Sequence, residues 1–402
     1  YPALYLSSFS PVKIFKGNVG DRFSARQIRK GLVLVQFIVS IALIQGIFVV
    51  QKQLNYMQEK KLGFEPDAKL VVPLNTPDAM QNYTVLKETL LKNSDVLDVG
   101  GTSAVPGLPN IVDILVFAEG ANQDASIRVM RNWVDPDFMP MMEFELLAGR
   151  FFDEDRIADT VVSVVINEGL MKELGYTQED AVGRKLLWNW DGNLNTQRII
   201  GVVKDFHSQA LHHAISNYMF QWSPTEVPEQ LVASVATTNL PDLIAKLDQD
   251  WSTINSGEPF DYFFLDDKLQ EAYKTDQRTA GLILAFTLLA IFISCLGLFG
   301  LAAFAAESRT KEIGVRKILG ASVGSIVGLI SREFVWLILL AMFIATPIAF
   351  YFLKQWLQNF HYYIDMPWWA FGLAGFSALL IAFATVSFHS IRAAVANPVD
   401  AL

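Results

Sequence analysis

Cysteine is nearly absent: Cys295 is the single one among 402 residues. That excludes an internal disulfide framework and a cysteine-based zinc cluster. Charge is also scarce, at 18% of residues against about 25% in ordinary soluble chains. The net charge of −9 has the wrong sign for a general nucleic-acid binder, so no nucleic-acid partner is expected. Neither H-E-x-x-H nor the phosphate-binding G-x-x-x-x-G-K-S/T pattern occurs, so any use of nucleotide energy has to come from a partner chain. An opening methionine and a signal peptide are missing too, and the chain reads as a piece of a longer parent. Disorder is excluded by a hydrophobic content of 52%.

That apolar content is gathered into blocks. Gly31 to Val50 is twenty residues without a charge, and Thr279 to Ala306 is twenty-eight. Phe334 to Leu353 is twenty, interrupted only by Pro347, and Pro367 to Ile391 is twenty-five, with His389 its one ionisable group. A bilayer core about 30 Å thick takes about 20 apolar residues of helix. All four blocks reach that length, and four such runs are hard to reconcile with buried helices of a soluble enzyme.

Between the first two blocks the character changes. Gln53 to Arg278 carries 35 acidic and 18 basic residues, a net of −17, and no spanning segment. It is long enough for a domain of its own, even one of two lobes. Basic residues flank the blocks unevenly. Lys13, Lys16, Arg22, Arg26, Arg29 and Lys30 precede the first. Arg309, Lys311, Arg316 and Lys317 separate the second from the third, and Arg392 follows the fourth. If four helices alternate, these flanks share one side, which is the cytoplasm, and the acidic domain is extracytoplasmic. Trp368 and Trp369, with Tyr362 and Tyr363 before them, suit the outer aromatic belt.

Within the acidic region, Leu70–Leu74, Asp113–Phe117, Val161–Ile166 and Arg198–Val203 read as strands. Asp78–Leu91 and Leu240–Trp251 read as amphipathic helices. Gly100-Gly101, Pro106-Gly107-Leu108-Pro109 and Asp191-Gly192-Asn193 read as turns. The domain is therefore α+β. Gln51–Leu62 and Asp266–Arg278 are polar segments running directly into the first two apolar blocks, and they read as helical stalks. His207, His212 and His213 lack a second motif to complete a metal site. Asp153, Glu154 and Asp155 lack the glycine and distal glutamate of a calcium loop. No metal ligand and no catalytic constellation is expected.

The most informative stretch is Ala306 to Ser322, AESRTKEIGVRKILGAS. It is too charged and amphipathic for a plain turn. Glu307 to Ala321 resembles the E-R-T-x-E-I-G-I-R-K-A-L-G-A motif of FtsX-like, MacB-type ABC transporter permeases, departing from it at Ser308 and at Ile318-Leu319. Gly149-Arg150, Val165-Ile166-Asn167, Val182-Gly183 and Gly201 to Asp205 are similar to that family's extracytoplasmic core. Ser10 to Phe15 parallels Asn397 to Leu402 at an offset of 387 residues. This suggests that the start of the chain is the tail of a preceding permease unit.

The resemblance implies a polytopic α-helical membrane protein: four transmembrane helices, with a large α+β extracytoplasmic domain between the first two. Residues 1–30 would be the preceding tail and linker, 31–52 helix one, 53–278 the outer core domain and 279–306 helix two. Residues 307–322 would be a cytoplasmic coupling helix, 323–353 helix three, 354–366 an outer loop, 367–391 helix four and 392–402 a tail. The FtsX-like unit would span 279–402. Glu307, Arg309, Thr310, Lys311, Glu312, Ile313, Gly314, Arg316, Lys317, Leu319 and Gly320 would contact the ATPase. The implied partners are a cytoplasmic ABC ATPase carrying ATP and magnesium, a second permease unit as dimer or tandem repeat, a periplasmic adaptor or outer-membrane component, and membrane lipids. No cofactor is expected in this chain. The function implied is export of an antibiotic, peptide or lipoprotein, or mechanotransmission, across the inner membrane. Few polar residues lie in the apolar blocks, Gln36, Ser40, Gln45, Ser294, Thr346 and His389 among them. That favours transmitted motion over a hydrophilic pore. A membrane-anchored ligand sensor is the alternative.

Overall fold

The computed structural model describes residues 20–395, apart from 110–111, 161, 191–192, 210, 212, 237–238, 309–311, 313–314 and 317–318. The segments of the internal repeat, the turn residues Asp191 and Gly192, and His212 lie outside the described residues. Two compact units emerge, one holding the apolar helices and one holding residues 57–275 with 360–362.

The helical unit is built on α1 (Gly20–Glu59), α7 (Leu265–Ser308), α8 (Val323–Leu357) and α9 (Trp368–Val395). Each contains a stretch apolar and long enough to cross a membrane. Residues 265–278 are the first turns of α7, so the second polar stalk is helix throughout, whereas α1 stays helical only as far as Glu59 and the last residues of the first stalk, 60–62, lie outside it. Val33, Phe37 and Ile41 of α1 pack with Leu298 and Ala302 of α7, Ile338 and Ala341 of α8, and Ala378 and Ala382 of α9. Alanine at these positions permits close approach where lipid offers no hydrophobic drive to association.

In the second unit, β1 (Lys69–Pro73), β2 (Val96–Thr102), β10 (Gln230–Val235) and β11 (Phe263–Phe264) form an antiparallel sheet in the order β11-β1-β10-β2. Helices α2 (Pro77–Gln81), α3 (Tyr83–Leu91) and α6 (Leu240–Ile254) contribute to its core, in which Leu86 and Leu90 meet Leu243, Leu247 and Trp251. Asp78–Leu91 is thus two helices rather than one. The chain breaks at Asn82, whose N–H bonds back to Asp78 and whose side-chain amide donates to Asn255 Oδ1 at 2.8 Å.

The second sheet contains β3 (Asp113–Ala118), β4 (Ile127–Trp133), β5 (Leu146–Gly149), β6 (Ser163–Asn167), β7 (Lys185–Trp190), β8 (Asn193–Val203) and β9 (Tyr218–Gln221). Its order is β5-β8-β6-β9-β4-β3-β7, and β7 also pairs with β8. Six strands therefore close on themselves, with β5 hung on β8. Closure removes the open edges that invite aggregation. Val116, Val129, Val164, Ile166, Ile199 and Met219 belong to one buried cluster. A second, aromatic cluster joins Phe138, Phe144, Phe206, Tyr218 and Phe220, with Phe144 and Phe206 edge to face at 4.9 Å. The short α4 (Phe138–Met141) and α5 (Glu168–Glu173) fill the connections.

Gly100 and Gly101 are not a turn but the interior of β2. A side chain at Gly100 would strike the backbone of Phe138, and one at Gly101 would strike Tyr83 and Pro228. The missing side chains admit close neighbours instead of bending the chain. Pro106-Gly107 is a turn, with Gly107 at φ +89°.

Candidate functional site

In the charged segment between α7 and α8, the apolar side chains of Val315 and Leu319 are turned to solvent. Glu312, Val315 and Arg316 are helical. Arg316 Nη2 lies 2.8 Å from Glu312 Oε1 one turn away, both side chains being about half exposed. Val315 is 49% and Leu319 80% exposed. An i,i+4 spacing places these two on one face, and the Leu319 N–H donates to the Val315 carbonyl at 3.1 Å. The segment then stops sharply. The Ala321 N–H reaches the Arg316 carbonyl at 2.9 Å around Gly320 at φ +88°. This is the bond of a Schellman cap, in which glycine takes the left-handed position without strain. Two residues on, the Ser322 side chain accepts from the Ser325 N–H at 3.3 Å and caps α8.

Gly320-Ala321-Ser322-Val323-Gly324 also has G-x-S-x-G spacing, but here the serine starts a helix that follows a helix. A hydrolase nucleophile turn follows a strand. Glu307 is exposed at the end of α7. Arg309, Thr310, Lys311, Ile313, Gly314 and Lys317 lie outside the described residues. Of the sequence-selected positions, the structure pairs Glu312 with Arg316 and sets Leu319 and Gly320 at the cap. Val315 was not selected, although its spacing from Leu319 marks it.

Two basic residues of the first flank are tied to the neighbouring helices. Lys30 Nζ meets Glu333 Oε2 of α8 at 3.0 Å, and the Arg29 guanidinium sits 4.8 Å from the ring centroid of Phe304 in α7. Deeper in the helical unit two pairs of polar side chains meet across helices. The Ser40 and Ser294 hydroxyls are 2.9 Å apart, and Gln45 donates to Thr346 at 3.0 Å. Gln53 Oε1 accepts the Ile364 N–H at 2.9 Å. Among the described residues no group of three His, Cys, Asp or Glu is placed to hold a metal. His207 is buried, edge to face with Tyr362 at 4.9 Å, and burial with Lys60 and His361 nearby pushes its pKa down to about 4. The acidic run 153–155 is a solvated turn in which Asp153 pairs with Arg156 at 3.1 Å.

A family model for the MacB-like periplasmic core domain matches residues 37–248, and one for the FtsX-like permease C-terminal region matches residues 284–398. The chain belongs to the MacB-type, FtsX-like permease family of ABC transporters. It is accordingly a multi-pass membrane protein, with four spanning helices and a large periplasmic-type domain of strands and helices. The macrolide export ATP-binding/permease protein MacB of Haemophilus ducreyi is 25% identical over 219 residues, 52% of this chain and 30% of that protein. The protein of the same name from Bdellovibrio bacteriovorus is 21% identical over 318 residues, 74% of this chain and 47% of that one. This permease thus spans less than half the length of these relatives. Among solved structures, the periplasmic region of MacB from Actinobacillus actinomycetemcomitans has 14% identity and a TM-score of 0.38, covering 54% of this chain and 97% of that one. The extracellular domain of the ABC-type transporter YknZ has 11% identity and a TM-score of 0.33, covering 48% and 96%.

Proposed function

We propose that this permease couples ATP hydrolysis by a separate cytoplasmic ATPase to movement of its outer domain, for export or mechanotransmission across the inner membrane. The observation that carries the reading is α7. It follows β11 directly and runs without a break for 44 residues to the charged segment. At 1.5 Å per residue that is about 66 Å, roughly twice a bilayer core. One continuous helix then connects the outer domain to the segment where an ATPase would push. Val315 and Leu319 supply an apolar patch for a groove on that ATPase, with the Glu312–Arg316 pair beside it. An exposed pair of this kind contributes only about 0.3–0.5 kcal/mol to stability, so partner contact is the better reason for it. ATP and magnesium belong to that partner. The apolar blocks hold few polar side chains, and Ser40–Ser294 and Gln45–Thr346 pair across helices, which supports movement of helices rather than passage of a polar substrate through them. The basic flanks set the charged segment inside and the acidic domain outside.

The test replaces Glu312→Lys or Arg316→Glu in the full chain. Expression and membrane insertion should match wild type, while ATPase copurification drops or hydrolysis uncouples from in-cell activity. Wild-type binding and activity in both variants would reduce the segment to a turn.

A further inference from the structure

The outer domain holds a groove of about 410 Å³ between α3 and the Trp222–Pro228 loop. Its floor is a closed polar network. Tyr83 Oη and Lys87 Nζ each reach Asp135 Oδ2 at 2.5 Å, and Lys87 also reaches Asp137 at 2.6 Å. Asp135 Oδ1 accepts the Phe138 N–H at 2.9 Å. With its partners supplied from within, this floor keeps its shape without a ligand. Half-buried Trp133 and Trp222 line the groove, and Trp222 is backed by Phe152 at 6.4 Å between ring centroids. Glu88, Glu154 and Glu226 are exposed at its surface. Of the charged side chains lining it, five are carboxylates and Lys87 is the one cation.

The volume falls within the roughly 300–1,000 Å³ of small-molecule sites. Indole faces attract cations, and this domain already uses that contact where the Arg131 guanidinium lies 5.6 Å from the ring centroid of Trp133. Arg131 does not line the groove. An anion would meet the carboxylates. Asp135 is taken up by Lys87 and Tyr83, which leaves no ready chelate for a metal.

We propose that this groove binds a small organic cation with an apolar body, the body against Trp222 and Trp133 and the charge facing Glu154 and Glu226. The site goes beyond the coupling function and does not depend on it, because it lies wholly within the outer domain.

The test is calorimetric titration of the full chain in lipid nanodiscs with benzyltriethylammonium, using empty nanodiscs as baseline. Saturable binding is expected, with none for benzenesulfonate. The double change Glu154→Gln with Glu226→Gln should weaken binding about tenfold, and Trp222→Leu should do the same, whereas Trp222→Phe stays within about threefold. Thermal unfolding of each variant checks that the fold is kept. The proposal fails if wild type shows no saturable binding, or if benzenesulfonate binds as well. It also fails if affinity is unchanged in both weakening variants, or if only an arginine-containing peptide binds. No ATPase is present in this measurement, so its failure is separate from any failure of the coupling reading.

Discussion

The Ser40 and Ser294 hydroxyls hydrogen-bond at 2.9 Å between α1 and α7, and both residues are buried. Within a bilayer such bonds are worth about 0.6 kcal/mol on average and rarely more than about 1.7. The Ser40→Ala, Ser294→Ala double-mutant cycle should therefore show a coupling of about 0.5–1.5 kcal/mol in unfolding of the detergent-solubilised chain. Additive single effects would mean that the two hydroxyls find other partners.

Gly149 adopts φ +76°, and a side chain there would run into the Ile200 carbonyl across the β5–β8 pairing. Gly149→Ala combines a left-handed penalty with a backbone clash and should destabilise the outer domain by about 2–3 kcal/mol. Gly120, also left-handed at φ +84° but with open space around it, gives the control. There Gly→Ala should cost only the conformational part, about 1–2 kcal/mol. Denaturant unfolding followed by tryptophan fluorescence measures both.

His207 is held neutral in the fold, its pKa lowered from 6.5 to about 4 by burial and by the nearby Lys60 and His361. The unfolded chain protonates this ring first as pH falls. Its contribution to stability is therefore intact above about pH 6.5 and is lost progressively down to about pH 4, by at most about 3 kcal/mol. The pH dependence of the melting temperature should flatten across that window in His207→Gln. A slope identical to wild type would place the acid sensitivity elsewhere.

Position 122, exposed in the outer domain, should react with a membrane-impermeant thiol reagent from outside once Cys295 is replaced and Asn122→Cys introduced. Thr310→Cys in the same background should react only after the membrane is opened. Labelling of position 122 from the cytoplasmic side alone would reverse the orientation.

The four spanning helices were legible because length and apolarity are local properties, and no folding partner is needed to see that Thr279 to Ala306 lacks a charge. The same holds for α6, whose Leu243, Leu247 and Trp251 recur every four residues and are all buried. Sequence reading failed where a residue's role is set by something distant. Gly100 and Gly101 look like a turn until Phe138, Tyr83 and Pro228 are seen against them. Asp78–Leu91 looks continuous until Asn82 is seen bonded to Asn255.

The site divides in the same way. The charge pattern from Glu307 to Gly320 and the i,i+4 pairing of Glu312 with Arg316 follow from the sequence, since helix periodicity fixes which neighbours meet. The glycine stop does not: the coupling helix was expected to run on to Ser322, and the bond from the Ala321 N–H to the Arg316 carbonyl puts a cap at Gly320. The tertiary structure alone decided that β7 pairs with distant β3 as well as with β8 and so closes six strands, that His207 is buried against Tyr362, and that Trp133, Trp222 and the Asp135–Lys87–Tyr83 network line one groove. Apart from neighbours on α3, these relationships join residues about fifty to more than a hundred and fifty positions apart. Strand register and burial set them, and neither leaves a periodic mark on the chain.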